Sequence, residues 1–524
     1  MNRIAELVTR AGRQFARSTA VVCDDVRLTF AQTEAASNRL ASALAGRLGL
    51  RKGDRVAVLL PNCPEYVITD LALIKAGLIR VQVNPRFTAP EVEFIVNHCA
   101  AALLVTSGEH AGVAAAVAKQ ANGLRHVLAA WGTVPAHNVS QWAELLAAGD
   151  PRPFAVDTTF DDGYMLGYTS GTTGRPKGAF STLRSRWAML LQVYANETHC
   201  AQSDVMAHAA SLAHGSGTKM LPHYIKGATN LLLRKFTPEG FFQAVQTHRV
   251  TTSWMVPTMI AMLAQSPARG RYDLSSLHTI IYGGASMPDA LIAQALEAFG
   301  PVFVQMYGLT EAPHPDLTLS KEDHLPDPHT GKPRRPGVTG RPSVGALLRV
   351  VDDAGREVAP GEIGEILIGG EHVMAGYWND PQASAETLRE GWCHTGDLAR
   401  VDEDGYVYVV DRKKEMIISG GYNVYPREVE EVIYRHPAVR ECAVVGAPDA
   451  HWGEVVVAVI SLNPGARTDA TAIARHCSEF LAGYKKPRRV EIVDDLPKTA
   501  AGKIDKKAVR AAQRANAHAD TSTK

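Results

Sequence analysis

The sequence predicts an α/β protein with a large multi-sheet N-terminal domain followed by a small α+β C-terminal domain. Three observations predict it. The chain has 524 residues, against about 100–200 for a typical domain, so two to four structural units are expected. The first third alternates helical and strand-like periods, the pattern of a sheet covered on both faces. After about residue 335 the texture turns to short β segments between turn signals, and beyond the charged cluster Asp411-Arg412-Lys413-Lys414-Glu415 a unit of about 100 residues follows.

The elements follow in chain order. Residues 1–16 set Arg3, Glu6, Arg10 and Arg13 among Ile4, Leu7, Val8 and Phe15, an amphipathic surface helix. A transit peptide is the competing reading, opposed by Glu6 and by the early onset of folded sequence. Residues 31–47 have helical periodicity, 55–60 form an apolar strand ending at Pro61-Asn62, 66–76 are helical, 81–83 extended, and 89–98 helical again. Strands over 279–282 and 302–306 run into Gly283-Gly284 and Gly308, and in open α/β sheets such strand ends are where ligands gather. The β-rich segments 347–351, 365–368 and 406–410 are separated by Asp352-Asp353-Ala354-Gly355 and Asp402-Glu403-Asp404-Gly405. The large domain is placed at 1–410 and the small one at 415–510. Residues 511–524 are polar, lack aromatics and are expected to be a disordered tail. There are no internal repeats.

Composition narrows the function. With 55 basic and 54 acidic residues the net charge is +1, which argues against a whole-protein footprint for nucleic acid or an anionic membrane and leaves only a local basic patch as an alternative. Seven scattered cysteines without a C-x-x-C pair read as reduced thiols, with no disulfide framework or zinc site. No apolar run approaches the ~18 residues needed to cross a bilayer. A soluble cytoplasmic protein, monomer or homodimer, is expected.

The segment Tyr168-Thr169-Ser170-Gly171-Thr172-Thr173-Gly174-Arg175-Pro176-Lys177-Gly178 packs three glycines, four small hydroxyl side chains and a lysine into eleven residues. Exposed backbone N–H groups, hydroxyls and a Lys can surround a polyphosphate. The glycine spacing does not fit a P-loop, and a Gly/Ser/Thr surface linker is the alternative by composition. The ordered string, with Tyr307-Gly308-Leu309-Thr310-Glu311, Gly391-Trp392-Cys393-His394-Thr395-Gly396-Asp397, Asp411-Arg412-Lys413-Lys414, Gly420-Gly421-Tyr422-Asn423-Val424-Tyr425-Pro426 and Leu496-Pro497-Lys498-Thr499-Ala500-Ala501-Gly502-Lys503-Ile504 further on, resembles the adenylate-forming superfamily over nearly the whole chain. That superfamily unites acyl-CoA synthetases, peptide-synthetase adenylation domains and luciferases.

The resemblance implies a reaction in two steps. A carboxylic acid and MgATP give an acyl-adenylate and pyrophosphate, and the acyl group then passes to a thiol, here CoA. It assigns Thr169, Ser170, Gly171, Thr172, Thr173, Gly174 and Lys177 to the phosphates, and Glu311 with Thr172 to Mg²⁺. Tyr307 and Gly308 meet the adenine, Thr310 the α-phosphate, and Gly283-Gly284-Ala285 form the opposite wall. Asp397 and Arg412 take the ribose; a turn-capping Asp and an exposed salt-bridging Arg are their ordinary readings, as a solvated loop carboxylate is for Glu311. Lys503 resembles the adenylation lysine of a mobile C-terminal domain, otherwise a solvated surface Lys. A point-charge ammonium there would reach both the carboxylate and the α-phosphate.

Lys414 matches the family's hinge, placed at 411–414. His214 resembles a gate between acyl pocket and thiol tunnel, though Ala213 stands where a bulky aromatic is common; a packed core His is the alternative. Trp254 resembles an acyl-pocket position and fits a core aromatic equally well, while Gly308 leaves room beside it. His208 and His394 read as structural. For CoA, Gly420, Gly421 and Tyr422 would line the tunnel, and Trp452, Tyr484, Lys486 and Arg488 would meet the nucleotide, against a plain basic loop with a Trp packed on its own domain. The expected function is an acyl-CoA synthetase using ATP, Mg²⁺ and CoA on a fatty, aryl or related carboxylic acid. A stand-alone enzyme loading a carrier protein, or a non-catalytic adenylate-binding regulator, are the alternatives.

Overall fold

The computed structural model describes residues 3–169, 176–196, 200–313, 315–331, 333–449, 451–499 and 502–521. Among them the strands fall into four sheets. The largest runs Arg341–Pro342, Leu317–Leu319, Phe303–Tyr307, Thr279–Gly283, Thr252–Met255, Val205–His208, Thr229–Leu232, Thr19–Cys23 and Val26–Thr29. Its six central strands are parallel and its edges antiparallel. A second sheet runs Gly376–Tyr377, Lys177–Thr182, Gly163–Thr169, Ile79–Gln82, Arg55–Val58, Leu103–Thr106, His126–Ala129 and Val139–Gln141. It is parallel from Gly163–Thr169 onward. Interior parallel strands are covered on both faces, so they read as apolar runs such as the fully buried Thr279–Gly283.

Helices fill the space around these sheets. Phe30–Gly46 begins at Thr29, whose side chain accepts from Gln32 N while Gln32 caps Thr29 in return, a reciprocal cap that stabilises a helix start by about 1 kcal/mol. Pro64–Ala76 starts on a proline and stops at Gly77, whose φ of 62° closes the last turn in a conformation other residues avoid. The N-terminal helix Arg3–Gln14 seats Ile4, Ala5, Val8 and Ala11 in the same core, with Arg3, Glu6, Arg10 and Arg13 exposed.

A third, antiparallel sheet holds Leu347–Val351, Gly364–Gly369, Trp392–Val401, Leu388–Arg389 and Val407–Arg412. The fourth begins with Ile417–Ser419 and contains Tyr422–Val424, Val439–Asp449, Gly453–Leu462 and Arg489–Ile492 around its own apolar core. Between the third and fourth sheets lies only a turn at 413–415, closed by Glu415 N–H on Arg412 O at 2.8 Å.

One expectation is corrected. The tail expected to be disordered from residue 511 continues the helix Lys506–Thr521. Val509 and Gln513, four residues apart on one helix face, are both buried against the small sheet, and Gln513 Nε2 donates to Glu491. Lys506 adds an enclosed ion pair to Glu430 at 2.7 Å. Polar composition concealed that face. Six of the seven cysteines are buried, and Cys200 is partly exposed.

Candidate active site

The site gathers at the ends of the parallel strands, where all four sheets contribute. Asp397 and Arg412 lie opposite each other on neighbouring antiparallel strands, so their side chains share a face. Arg412 Nε is 2.9 Å from Asp397 Oδ1, and Tyr307, last residue of Phe303–Tyr307, donates its hydroxyl to Asp397 Oδ2 at 2.6 Å. Burial lifts the Asp397 carboxyl above its usual range, and the Arg412 guanidinium opposes that lift. Burial and the Asp397 charge drive the Tyr307 phenol well up, so it stays a donor. A tyrosine face, a carboxylate and a guanidinium in one corner suit a nucleoside.

The loop after Tyr307 is closed by Asp316 N–H on Tyr307 O (2.9 Å) and Leu309 N–H on Ala312 O (2.8 Å). It carries Gly308, Thr310 and Glu311. The Thr310 methyl rests on Gly167, where a Cβ would stand 2.7 Å from Thr310 Cγ2; glycine permits this close approach. Gly167 lies in Gly163–Thr169, which leads into the glycine-rich segment. Ser170, Gly171, Thr172, Thr173 and Gly174 lie outside the described residues. Their flanks are set by the ladder that pairs Thr169 with Lys177. Lys177 Nζ sits 5.1 Å from the centroid of the Tyr377 ring, and Tyr377 donates its hydroxyl to Glu311 Oε1 at 2.7 Å. Burial and the Glu311 charge raise the Tyr377 phenol. Among the described residues no group of three or more His, Cys, Asp or Glu could hold a metal ion. A single carboxylate such as Glu311 could hold Mg²⁺ only where other oxygen ligands, such as phosphates, complete its shell.

The opposite wall is Gly283-Gly284-Ala285. A Cβ on Gly283 would meet Met306 O at 2.2 Å, while Gly284 and Ala285 are exposed. Lys503 reaches this wall: its Nζ would lie 3.1 Å from a Cβ on Gly284. It arrives on a tight hairpin in which Thr499 N–H donates to Lys503 O (2.7 Å), Lys498 bridges Ile504, and Thr258 Oγ1 donates to Gly502 O at 3.3 Å. Burial, then the Arg412 charge, lowers the Lys503 pKa. Among the described residues its ammonium has no ion pair or hydrogen bond.

His214 Nε2 accepts from Asn84 Nδ2 at 2.6 Å. Burial, with the charges of Lys503 and Arg86, lowers its pKa to about 4, so the ring is neutral near pH 7. Trp254 is buried, its ring filling the place of a side chain at Gly215, where a Cβ would be 2.3 Å from Trp254 Cζ2. His208 is structural, held between Ser216 Oγ and Asn230 Oδ1. Lys414 is exposed in the turn at 413–415, and burial of its stem and the Arg412 charge lower its pKa.

The residues expected to meet CoA form two contacts on the small sheet. Tyr422 stacks on Tyr484 with centroids 4.7 Å apart. Trp452 is only partly exposed: its ring abuts Gly420 (2.6 Å from a Cβ there), and the Arg488 guanidinium lies 4.2 Å from its centroid. It is thus packed on its own domain rather than free as an isolated stacking platform. Gly420 and Gly421 both have positive φ, 57° and 83°, which the turn into Tyr422–Val424 requires. Lys486 is partly exposed.

Sequence reasoning missed Gly167, Asn84, Thr258 and Tyr377. Each acts through a partner between 66 and 244 residues away or beyond a sheet boundary, and no local pattern marks such pairs.

The site thus joins the Tyr307–Asp397–Arg412 corner, the Glu311 carboxylate and a lysine brought in from a separate sheet. Residues 8–378 match the AMP-binding enzyme family and residues 428–503 the AMP-binding enzyme C-terminal domain, and the chain belongs to this family. It is 41% identical to a feruloyl-CoA synthase of Amycolatopsis sp. over 96% of this chain and 97% of the relative. It is 36% identical to a medium/long-chain-fatty-acid–CoA ligase of Mycobacterium tuberculosis over 93% and 86%. The fold superposes on an anthranilate CoA ligase in complex with anthranoyl-AMP with a TM-score of 0.88, 30% identity and 98% coverage of both chains. The protein is an AMP-forming acid–thiol ligase, an acyl-CoA synthetase that uses ATP and CoA.

Proposed function

We propose that the acid is aromatic, of the hydroxycinnamate or benzoate class. The observation that carries this reading is Trp254: its indole fills the space over Gly215, one residue from His214, which favours a short, flat acyl pocket over a long alkyl channel. The feruloyl and anthranilate enzymes among its relatives support the same class.

In this reading a carboxylate oxygen of the acid attacks the α-phosphorus of ATP and pyrophosphate leaves. Asp397, Arg412 and Tyr307 hold the nucleoside. Lys503, whose ammonium has no partner among the described residues, supplies positive charge between carboxylate and α-phosphate as negative charge moves to pyrophosphate. Thr310, Thr169 and Lys177 face the phosphates. Mg²⁺ would be held by Glu311, with Thr172, and would offset phosphate charge. Neutral His214 then borders the path by which the CoA sulfur attacks the acyl carbonyl, expelling AMP. For that step the small domain, hinged at Lys414, would turn to present Gly420, Gly421 and Tyr422, with Tyr484, Lys486, Arg488 and the rim of Trp452 toward the CoA nucleotide. Six buried cysteines, none in a C-x-x-C pair, fit a cytoplasmic setting.

A pyrophosphate-release screen over aromatic, medium-chain and branched acids, with and without CoA, tests the reading. Aromatic acids should exceed medium-chain acids at least ~10-fold in kcat/KM, the scale that one well-fitted apolar pocket provides. Preference for alkyl chains would overturn the acid class. Turnover that requires a carrier protein instead of CoA would overturn the acceptor.

A further inference from the structure

We propose that Tyr377 is a positioning residue that orients Glu311 toward the phosphate-bound cation and registers it against Lys177. The assignment rests on the reading of Glu311 as the Mg²⁺ carboxylate. A glutamate on a loop has three side-chain torsions to settle, and a cation held mainly by substrate phosphates needs its single protein carboxylate already aimed.

Segment 374–377 supplies that aim twice. Met374 N–H donates to Glu311 O at 2.8 Å, fixing the backbone, and the Tyr377 hydroxyl donates to Glu311 Oε1 at 2.7 Å, fixing the carboxylate. Among the described residues Oε2 has no hydrogen-bond partner, so one oxygen is committed and the other is presented. Tyr377 is itself held. Its strand pairs with Lys177–Thr182, Tyr377 standing opposite Ala179. Its N–H donates to Ser384 Oγ at 2.8 Å, and that hydroxyl donates to Asp380 O at 2.7 Å. The ring then does a second task, with the Lys177 ammonium 5.1 Å from its centroid, within cation–π range. One side chain thus links the hairpin that flanks the glycine-rich segment to the loop that bears Thr310 and Glu311. These two segments belong to different sheets.

Tyr377→Phe keeps the ring and removes only the hydroxyl. The full-length enzyme is titrated with Mn²⁺ in the presence of ATP and without acid, and binding is read by electron paramagnetic resonance; ATP binding in EDTA is the metal-free control. Wild type should bind ATP more tightly with Mn²⁺ than in EDTA. In Tyr377→Phe the Mn²⁺-dependent part should weaken about 10–100-fold, the usual effect of removing a group that orients a metal ligand. ATP binding in EDTA, KM for the acid and the melting temperature should hold. Tyr377→His, whose ring N–H can donate, should fall between the two, and it carries the test if the Phe variant does not fold. Tyr377→Leu and Lys177→Ala should be non-additive in ATP binding, because both remove the same ring–ammonium contact. Unchanged Mn²⁺ dependence in Tyr377→Phe would overturn the proposal while leaving the cation reading intact. Equal ATP affinity with and without Mn²⁺ in wild type would overturn the cation reading, and this assignment with it.

Discussion

Asp397 and Lys503 are charges enclosed in the same site, yet they are held in opposite ways. Both Asp397 oxygens are engaged, one by Tyr307 from the largest sheet and one by Arg412 on the strand paired with its own. The Lys503 ammonium has no partner among the described residues, and its hairpin is tied to the large domain by the Thr258–Gly502 bond of 3.3 Å. The Asp397 corner is therefore complete without a ligand. In the proposed reading, Lys503 would take its partners from the reacting carboxylate and phosphate, and its contribution would belong to the transition state.

Lys503→Ala breaks the comparison most forcefully. Acyl-AMP formation from acid and ATP should slow by ~10²–10³, typical for one positioned electrostatic contact, while pre-formed acyl-AMP with CoA should react nearly as in wild type. Equal loss in both half-reactions would show that the lysine serves the fold or both steps alike. A smaller effect is expected from Lys414→Pro. Proline restricts φ in the turn at 413–415, the only link between the third and fourth sheets among the described residues. Rapid-quench assays should find acyl-AMP formation preserved and transfer to CoA slowed on the order of 10-fold or more, since domain motions often limit turnover. Normal overall turnover would eliminate the hinge.

The smallest effect concerns how the lysine's domain is docked. Asp289 N–H donates to Glu431 Oε2 at 3.3 Å, and Arg427 on the same helix reaches Val409 O and Gly337 O. Burial lifts the Glu431 carboxyl to about 7; Arg427 and Arg435 oppose the lift and the Asp289 carboxylate adds to it. A raised carboxyl means docking is favoured by protonation: the contribution is fully present below the ordinary value of 4.5 and is lost as pH rises through about 7. The ratio of adenylation to transfer should therefore fall across pH 5–8, by a factor on the order of three. Glu431→Gln should flatten that profile; an unchanged profile would assign the pH response elsewhere.

The sequence was most legible where information is local. Residues 89–98 carry a Thr88–Glu91 capping box and a proline in the first turn, and the helix Ala89–His98 forms there. Strands expected over 279–282 and 347–351 appear at Thr279–Gly283 and Leu347–Val351, because apolar β-branched runs between turn residues have few other solutions. Tyr307, Asp397 and Arg412, drawn from separate motifs, touch one another, and Lys503 lies within electrostatic reach of Arg412. Three features lay beyond such reading. The Tyr377–Glu311 and Asn84–His214 bonds join segments of different sheets. The helix Lys506–Thr521 buries Val509 and Gln513, a spacing too sparse to register against a polar background.

Cys393 sits four residues before Asp397, within the electrostatic reach of Glu311, Asp316, Glu365 and Asp397. An acyl adenylate is an acylating agent, and a thiolate in that place would compete with CoA for the acyl group. Burial and the four carboxylates push the Cys393 thiol far above its ordinary range, and burial holds Cys23, Cys99 and Cys477 at about 11. Since the thiolate is the nucleophile, buried sulfurs held protonated are poor acyl acceptors, a chemistry that favours a thiol supplied from outside.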